Sequence, residues 1–336
     1  MTTEQQALKM HSTTRHWLIR TIRCTLPLLL AWVALPASAH NNNVYVANQF
    51  GNTVSVIDMA TNTVTATVPV GTTPVGIAVS PNGNSVYVTN ATAGTVSVID
   101  AVTNTVTATV PAGNTPAAVA VSPNGADVYV VNANAGTVSI IETATNAIIA
   151  TVPVGSVPLS IAVNPNGADV YVANAGDNTV SVIDTITHSV TATVPVGNSP
   201  YGIVAGPLGA RVYTANVDSN DVSVIDTFTN TLTATVPAGN GADAIAISPI
   251  GIPVYVANFA DNTVSVINPF NKTTIATVPV GNSPGSIAIS RTARVYVANA
   301  GSNSVSVINP FTNKVVATVS VGRVPSAVAT QPQSPW

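Results

Sequence analysis

From residue 43 onward, apolar and polar positions alternate in bursts of six or seven residues, each closed by Gly, Pro, Asn or Asp. One unit reads PVGIAVS (74–80), then SPNG (80–83), SVYVTN (85–90), a loop containing Gly94, TVSVID (95–100), VTN (102–104) and TVTATV (105–110). Period-two alternation bounded by turn formers predicts strands, since successive side chains of a strand point to opposite faces. No segment sustains a helical period. Each unit therefore predicts four short strands, the first opened by proline.

The unit recurs. Its tyrosine stands at Tyr45, Tyr87, Tyr129, Tyr171, Tyr213, Tyr255 and Tyr296, at intervals of 42 and once 41. A period in the low forties is that of a four-stranded propeller blade. The first copy begins at a second strand, and the chain runs on past the last fourth strand into PSAVATQ (325–331), which matches the first strand PVGIAVS. The reading is all-β: a seven-bladed β-propeller of four-stranded antiparallel blades. Its seventh blade takes the inner strand from Pro325–Thr330 and the outer three from Val44–Val70. Such closure joins the chain ends and removes the open edges of a linear array.

Three repeated residues invite local explanations. Asn48, Asn90, Asn132, Asn174, Asn216, Asn258 and Asn299 follow the second strand, and are read as tight-loop residues that tolerate the left-handed region. Asp58, Asp100, Asp184, Asp226, Asn268 and Asn309 end the third strand and are expected to close Asx turns, with Glu142 a weaker substitute. Pro69, Pro111, Pro153, Pro195, Pro237 and Pro279 mark the outer strand as an edge, with Ser320 in the last copy.

Composition sharpens the picture at the N-terminus. Lys9, Arg15, Arg20 and Arg23 lead into LPLLLAWVAL (26–35), and Ala37-Ser38-Ala39 then offers a small-residue cut before His40. These are the parts of a secretory signal peptide, with Met10 a second candidate start. The apolar run is too short to span a bilayer. No Arg-Arg pair precedes it, so the general secretory route is expected. The domain reading is signal peptide 1–39, then one propeller domain, 40–336, of about 42 residues per repeat. Cleavage between Ala39 and His40 would remove Cys24 and with it any disulfide. Six Lys/Arg would then face twelve Asp/Glu. With no basic stripe, nucleic acid is not an expected partner.

The words YVAN (45–48) and YVTN (87–90), and TVSVID followed by TATVPVG, resemble the YVTN-family, YncE-like β-propeller repeat proteins over about residues 44–330. The resemblance implies a seven-bladed exported propeller of a periplasm or cell surface. It implies no agreed catalytic residues. There is no Trp-Asp pair of the WD kind, and Trp336 is the one tryptophan beyond the leader.

A site for a single ligand must break seven-fold symmetry. After the proline of the inner strand stand Val75, Ala117, Leu159, Tyr201, Asp243, Gly285 and Ser326, of which Tyr201 and Asp243 are bulky polar departures on neighbouring blades. Arg323 lies in the corresponding loop of the closing blade; Gln49, Phe50, Asp218, Asp221 and Phe259 come from adjacent loops of that face. Together they form the candidate ligand site at the channel mouth. Asp218-Ser219-Asn220-Asp221 is the cation candidate, though it lacks the carboxylates of a calcium loop. His188 reads as a turn residue and His40 as a terminus, so no Ser–His–acid set can be assembled. No zinc spacing is present, and no cofactor is expected. Asn90-Ala91-Thr92 and Asn271-Lys272-Thr273 match glycosylation sequons. The expected function is that of a non-catalytic exported binding or scaffold protein with a protein, peptide or glycan partner. The alternatives are a lactonase-like hydrolase at the channel mouth, by fold analogy, and a surface adhesin or surface-layer component.

Overall fold

The computed structural model describes residues 42–332. Segment 1–39, read above as a signal peptide, the cleavage point expected after it, Cys24, His40 and Trp336 lie outside the described residues. Among the described residues, 28 strands form seven four-stranded antiparallel sheets, and one 3-10 turn occupies Ala300–Ser302. Blade 1 consists of Pro74–Val79, Ser85–Asn90, Thr95–Asp100 and Thr105–Pro111, innermost first. The inner strands of blades 2 to 6 are Pro116–Val121, Pro158–Val163, Pro200–Ala205, Ala242–Ile247 and Pro284–Ile289. Blade 7 joins Pro325–Thr330 to Asn43–Asn48, Thr53–Asp58 and Thr63–Pro69. Val44 pairs with Thr330 and Val46 with Val328, and Gln331 N–H reaches Asn43 O at 2.9 Å. The ring closes between chain ends as the repeat predicts.

Burial follows the alternation with a propeller's modification. The second and third strands are buried on both faces, because each is sandwiched between neighbouring blades; the third strand Thr95–Asp100 is buried at all but its ends. The seven apolar clusters therefore lie between blades. One unites Tyr45 and Val54 of blade 7 with Val86, Val88 and Ile99 of blade 1. The outer strands expose alternate Thr and bury a single Val, Val110 in blade 1. Thr is β-branched and half polar, which suits a strand with one wet face.

The recurrent asparagines play a different part from the one expected. Asn90 is the last residue of a strand, fully buried, and its Nδ2 donates to Thr95 Oγ1 at 3.1 Å and Ser97 Oγ at 2.9 Å. The same pair of bonds runs from Asn48, Asn132, Asn174, Asn258 and Asn299. In blade 4, Asp221 replaces the threonine as acceptor for Asn216, at 2.6 Å. The reason is packing. The preceding inter-blade loop crosses so close that a Cβ on Gly71 would lie 2.6 Å from Asn90 Cγ. A buried amide must satisfy its donors, and the Ser of TVSVID provides an acceptor. Left-handed residues do occur, but in other places: Asn52, Asn178, Asn220, Asn262 and Asn303 in the loops between second and third strands, and Asn62, Asn104, Asn146, His188, Asn230, Lys272 and Asn313 in the turns before the outer strand. The burial of Asn90 also removes its sequon from the surface, whereas Asn271 is exposed.

The Asx turns form as expected. Asp100 Oδ1 accepts from Val102 N–H at 3.0 Å and from Thr103 N–H at 2.7 Å. These bonds hold the Asp58, Asp100, Asp184 and Asp226 carboxyls below the usual range, the Thr N–H bond contributing most. Asn268 and Asn309 make the same kind of turn without a charge. Glu142 only takes a hydroxyl bond from Thr145, at 2.7 Å.

Candidate functional site: the channel mouth

The seven inner strands surround a central channel that opens as a cavity of about 540 Å³. Its first ring is the post-proline row Val75, Ala117, Leu159, Tyr201, Asp243, Gly285 and Ser326, and a second ring contains Ile77, Ile161, Ile203, Ile245 and Ile287. The post-proline residue reaches the lumen because the register slips there: Pro200 pairs with Asn216 and Gly202 with Ala215, which leaves Tyr201 unpaired. A bulge of this kind turns a side chain out of the sheet's alternation.

The residue before that proline is left-handed at Thr73, Thr115, Val157, Ser199, Gly241, Ser283 and Val324. Branched residues seldom adopt this conformation. In five blades the preceding loop secures it. Asn52 Oδ1 accepts from Thr73 N–H at 2.9 Å, and Asn178, Asn220, Asn262 and Asn303 do the same for Ser199, Gly241, Ser283 and Val324. Gly94 and Gly136 occupy the asparagine's place in the remaining two. The mouth is thus held by paired left-handed residues, and the Asn before five of the seven third strands, with Gly before the other two, was their sequence signal.

Asp243 and Tyr201 are the titratable groups of the lining. Ala242 replaces the proline ahead of Asp243 and is fully buried. The carboxylate reaches toward blade 6, with Oδ2 3.8 Å from where a Cβ would stand on Gly285. Blades 4 and 5 approach closely here: a Cβ on Gly202 would meet Asp243 O at 2.6 Å. Burial alone pushes the Asp243 carboxyl up to about 7, with no bond or cation to offset it. Desolvation also raises the phenol of Tyr201, and the charges of Asp243 and Asp218 raise it further. The Tyr201 ring is 43% exposed. Two of the three lining serines are engaged by protein: Ser326 Oγ donates to Pro74 O at 2.9 Å, and Ser286 Oγ accepts from Val328 N–H at 3.1 Å.

The other candidates are more dispersed. Gln49 lines the channel, its N–H bound to Val324 O at 2.9 Å. Phe50 and Phe259 are exposed on the same face and do not line the cavity. Arg323 is exposed in the neighbouring loop, where its carbonyl accepts from Phe50 N–H at 3.2 Å, so no guanidinium enters the channel to pair with Asp243. Asp218 bonds Ser199 Oγ, and Asp221 is committed to Asn216. No group of three or more His, Cys, Asp or Glu is placed to hold a metal among the described residues.

With this geometry in hand, comparison with known proteins is informative about fold. A family model described as YNCE-like beta-propeller matches residues 18–126. No curated protein matches the chain. Among solved structures, a protein of unknown function from Desulfotomaculum acetoxidans is similar at TM-score 0.78 and 20% identity, over 87% of this chain and 100% of that one. A candidate 6-phosphogluconolactonase from Bacteroides uniformis is similar at TM-score 0.72 and 19% identity, over 86% and 99%. A chain of Kuenenia stuttgartiensis hydrazine synthase is similar at TM-score 0.71 and 23% identity, over 77% and 90%. At these identities the likeness is one of fold.

Proposed function

Taking the chain as a seven-bladed propeller with a YncE-like family match, we propose that it is a non-catalytic binding protein of the cell envelope, exported by its N-terminal leader, whose channel mouth holds a small polar ligand. One observation carries the reading: Asp243, an uncompensated carboxyl, lines the mouth on the blade next to Tyr201, near enough for its charge to raise the phenol, and these two are the titratable groups of a pseudo-seven-fold channel. A ligand with an amine or hydroxyl at one end and a flat body at the other would pair with the carboxyl and lie against the ring. Thermal unfolding in the presence of amines, amino sugars, short peptides, peptidoglycan fragments and lactones tests this. A ligand at 100 times its Kd adds about 2.7 kcal/mol. A shift present in the wild type and absent in Tyr201→Ala/Asp243→Ala is the expected result; a shift indifferent to that pair places the ligand elsewhere.

The second reading, a lactonase-like hydrolase, draws on the same carboxyl, since a group ionising near 7 suits general base work. It needs an electrophilic partner, and the lining contributes no cation. Turnover of lactones that disappears in Asp243→Asn would favour this reading over binding alone.

A further inference from the structure

The face opposite the channel mouth carries the turns between first and second strands and between third and fourth strands, and its charges are segregated. Arg211, Lys272, Arg291, Arg294 and Lys314 all stand there on blades 4 to 6, against the single carboxylate of Asp226. They are every cation of residues 40–336 except Arg323. The carboxylates of the rest of the face (Asp58, Asp100, Asp127, Glu142, Asp169 and Asp184) belong to blades 7 and 1 to 3. In blades 5 and 6 the acid that ends the third strand has become Asn268 and Asn309.

Large apolar residues occupy the turn tips of the same blades. Leu208 is 93% exposed, Phe228 96%, Ile250 84% and Phe311 87%, and Phe270 is 62% exposed beneath the Arg211 guanidinium, 5.5 Å from its ring centre. Three of the chain's five phenylalanines are here. At the matching positions of blades 7, 1, 2 and 3 stand Ala60, Val102, Ala144 and Ile186, the last 87% exposed, and at the matching turns of blades 1 to 3 stand Asn82, Asn124 and Asn166, so the large tips concentrate on blades 4 to 6 with one outlier on blade 3. Four apolar tips that project almost entirely into water and a fifth that is more than half exposed, set among cations in a chain that is acidic overall, are costly to solubility unless something receives them.

From this coincidence of protruding apolar tips and clustered cations, we infer that the turn face of blades 4 to 6 docks on an anionic phospholipid bilayer, the tips entering the headgroup layer and the Lys and Arg side chains meeting lipid phosphates. Charge complementarity together with the apolar tips selects this occupant. A second copy docked face to face by a two-fold axis would pair cations with acids, but would set five large tips against a half whose exposed apolar tips are Ile186 and Val102, with asparagine at its other turns. A bilayer receives both at once, because its phosphates lie directly above its hydrocarbon. Among the described residues no helix is long and apolar enough to cross a membrane, so the contact is peripheral. It uses the opposite face from the ligand site and stands independently of that reading.

Vesicle co-sedimentation tests it with the purified protein. Binding to phosphatidylcholine/phosphatidylglycerol vesicles should exceed binding to phosphatidylcholine alone by tenfold or more at about 0.1 M salt, since each cation near such a surface contributes roughly fivefold. It should fall as salt shortens the screening length. Lys272→Glu/Lys314→Glu and, separately, Phe228→Ser/Phe311→Ser should each weaken it by roughly tenfold or more. Val102→Ser, on an exposed tip of the acidic half, should leave it unchanged. Equal partition onto both vesicles overturns the proposal and needs no variant. So does anionic binding that ignores the Phe pair, or a dimer in solution that the same pairs dissolve without any vesicle binding.

Discussion

At the residue scale, the informative positions are the half-buried Asp243, which no bond or cation offsets, and the buried, bonded Asn90. Asp243 has a folded-state carboxyl raised to about 7 by burial, above its unfolded value near 3.9. The folded state therefore binds the proton more tightly. Stability contributed by the protonated form is full below the unfolded value, and is lost as pH rises toward 7. Asp243→Asn should raise the melting temperature at pH 8, by the equivalent of about 2 kcal/mol in a channel that admits water, and leave it unchanged at pH 4. Melting curves at the two pH values check this; a gain that is equal at both places the carboxyl in an unstrained, solvated setting. Binding of an amine ligand should strengthen as pH rises through 7 in the wild type and not in the variant. Asn90→Ala would leave the buried Ser97 hydroxyl and the half-buried Thr95 hydroxyl without their donor and open space beside Gly71. A loss of about 1–3 kcal/mol is expected in denaturant unfolding. The pairing was readable only in part. Ser97 and its equivalents recur in every TVSVID word, and Gly71 recurs as Gly113, Gly155, Gly197, Gly239, Gly281 and Gly322, but a sequence shows a repeated glycine and a strand-end asparagine without showing that the two meet.

At the element scale, the Asx turns set the acid response. Asp58, Asp100, Asp184 and Asp226 are held below the usual carboxyl range by turn N–H bonds. Their contribution is present above the unfolded value near 3.9 and is lost as pH falls through the lower folded values. Blades 5 and 6 already build the turn with Asn268 and Asn309. Replacing the four aspartates by Asn should therefore keep stability at pH 7 and flatten its decline below about pH 4. Melting temperature against pH from 2 to 6 decides it, and an unchanged slope would assign the acid loss to other carboxylates. Element order, turn residues and strand bounds were legible because each follows from local alternation and from Gly, Pro and Asx chemistry. The site was legible only as a list of departures. Tyr201 and Asp243 share a lumen because both follow a bulged proline position. Arg323 follows the same repeat logic in sequence, yet it precedes the bulge and points to solvent.

At the scale of the whole molecule, closure of the ring distinguishes this chain from seven blades merely in series. Each inter-blade contact is apolar and alike, so the junction of first and last blades would be as weak as any other without a covalent tie. The tie is the inner strand Pro325–Thr330, which pairs with Asn43–Asn48 and brings Gln331 N–H to Asn43 O. A circular permutant isolates its contribution. Linking Thr330 to Asn43 through a short flexible segment, and opening the chain between Val70 and Pro74, makes every blade covalently whole while keeping each side-chain contact. Chain ends this close tolerate such rearrangement. The permutant should fold to the same seven blades but close its ring by packing alone. It should unfold at lower denaturant with an unchanged dependence on denaturant concentration, since the same surface is exposed. It should also unfold faster, because the blade at the cut can peel away without breaking backbone pairing. Unfolding of the permutant at the wild-type midpoint and rate would mean that apolar stacking between blades closes the ring unaided, and that the shared blade serves assembly of the fold instead of its persistence.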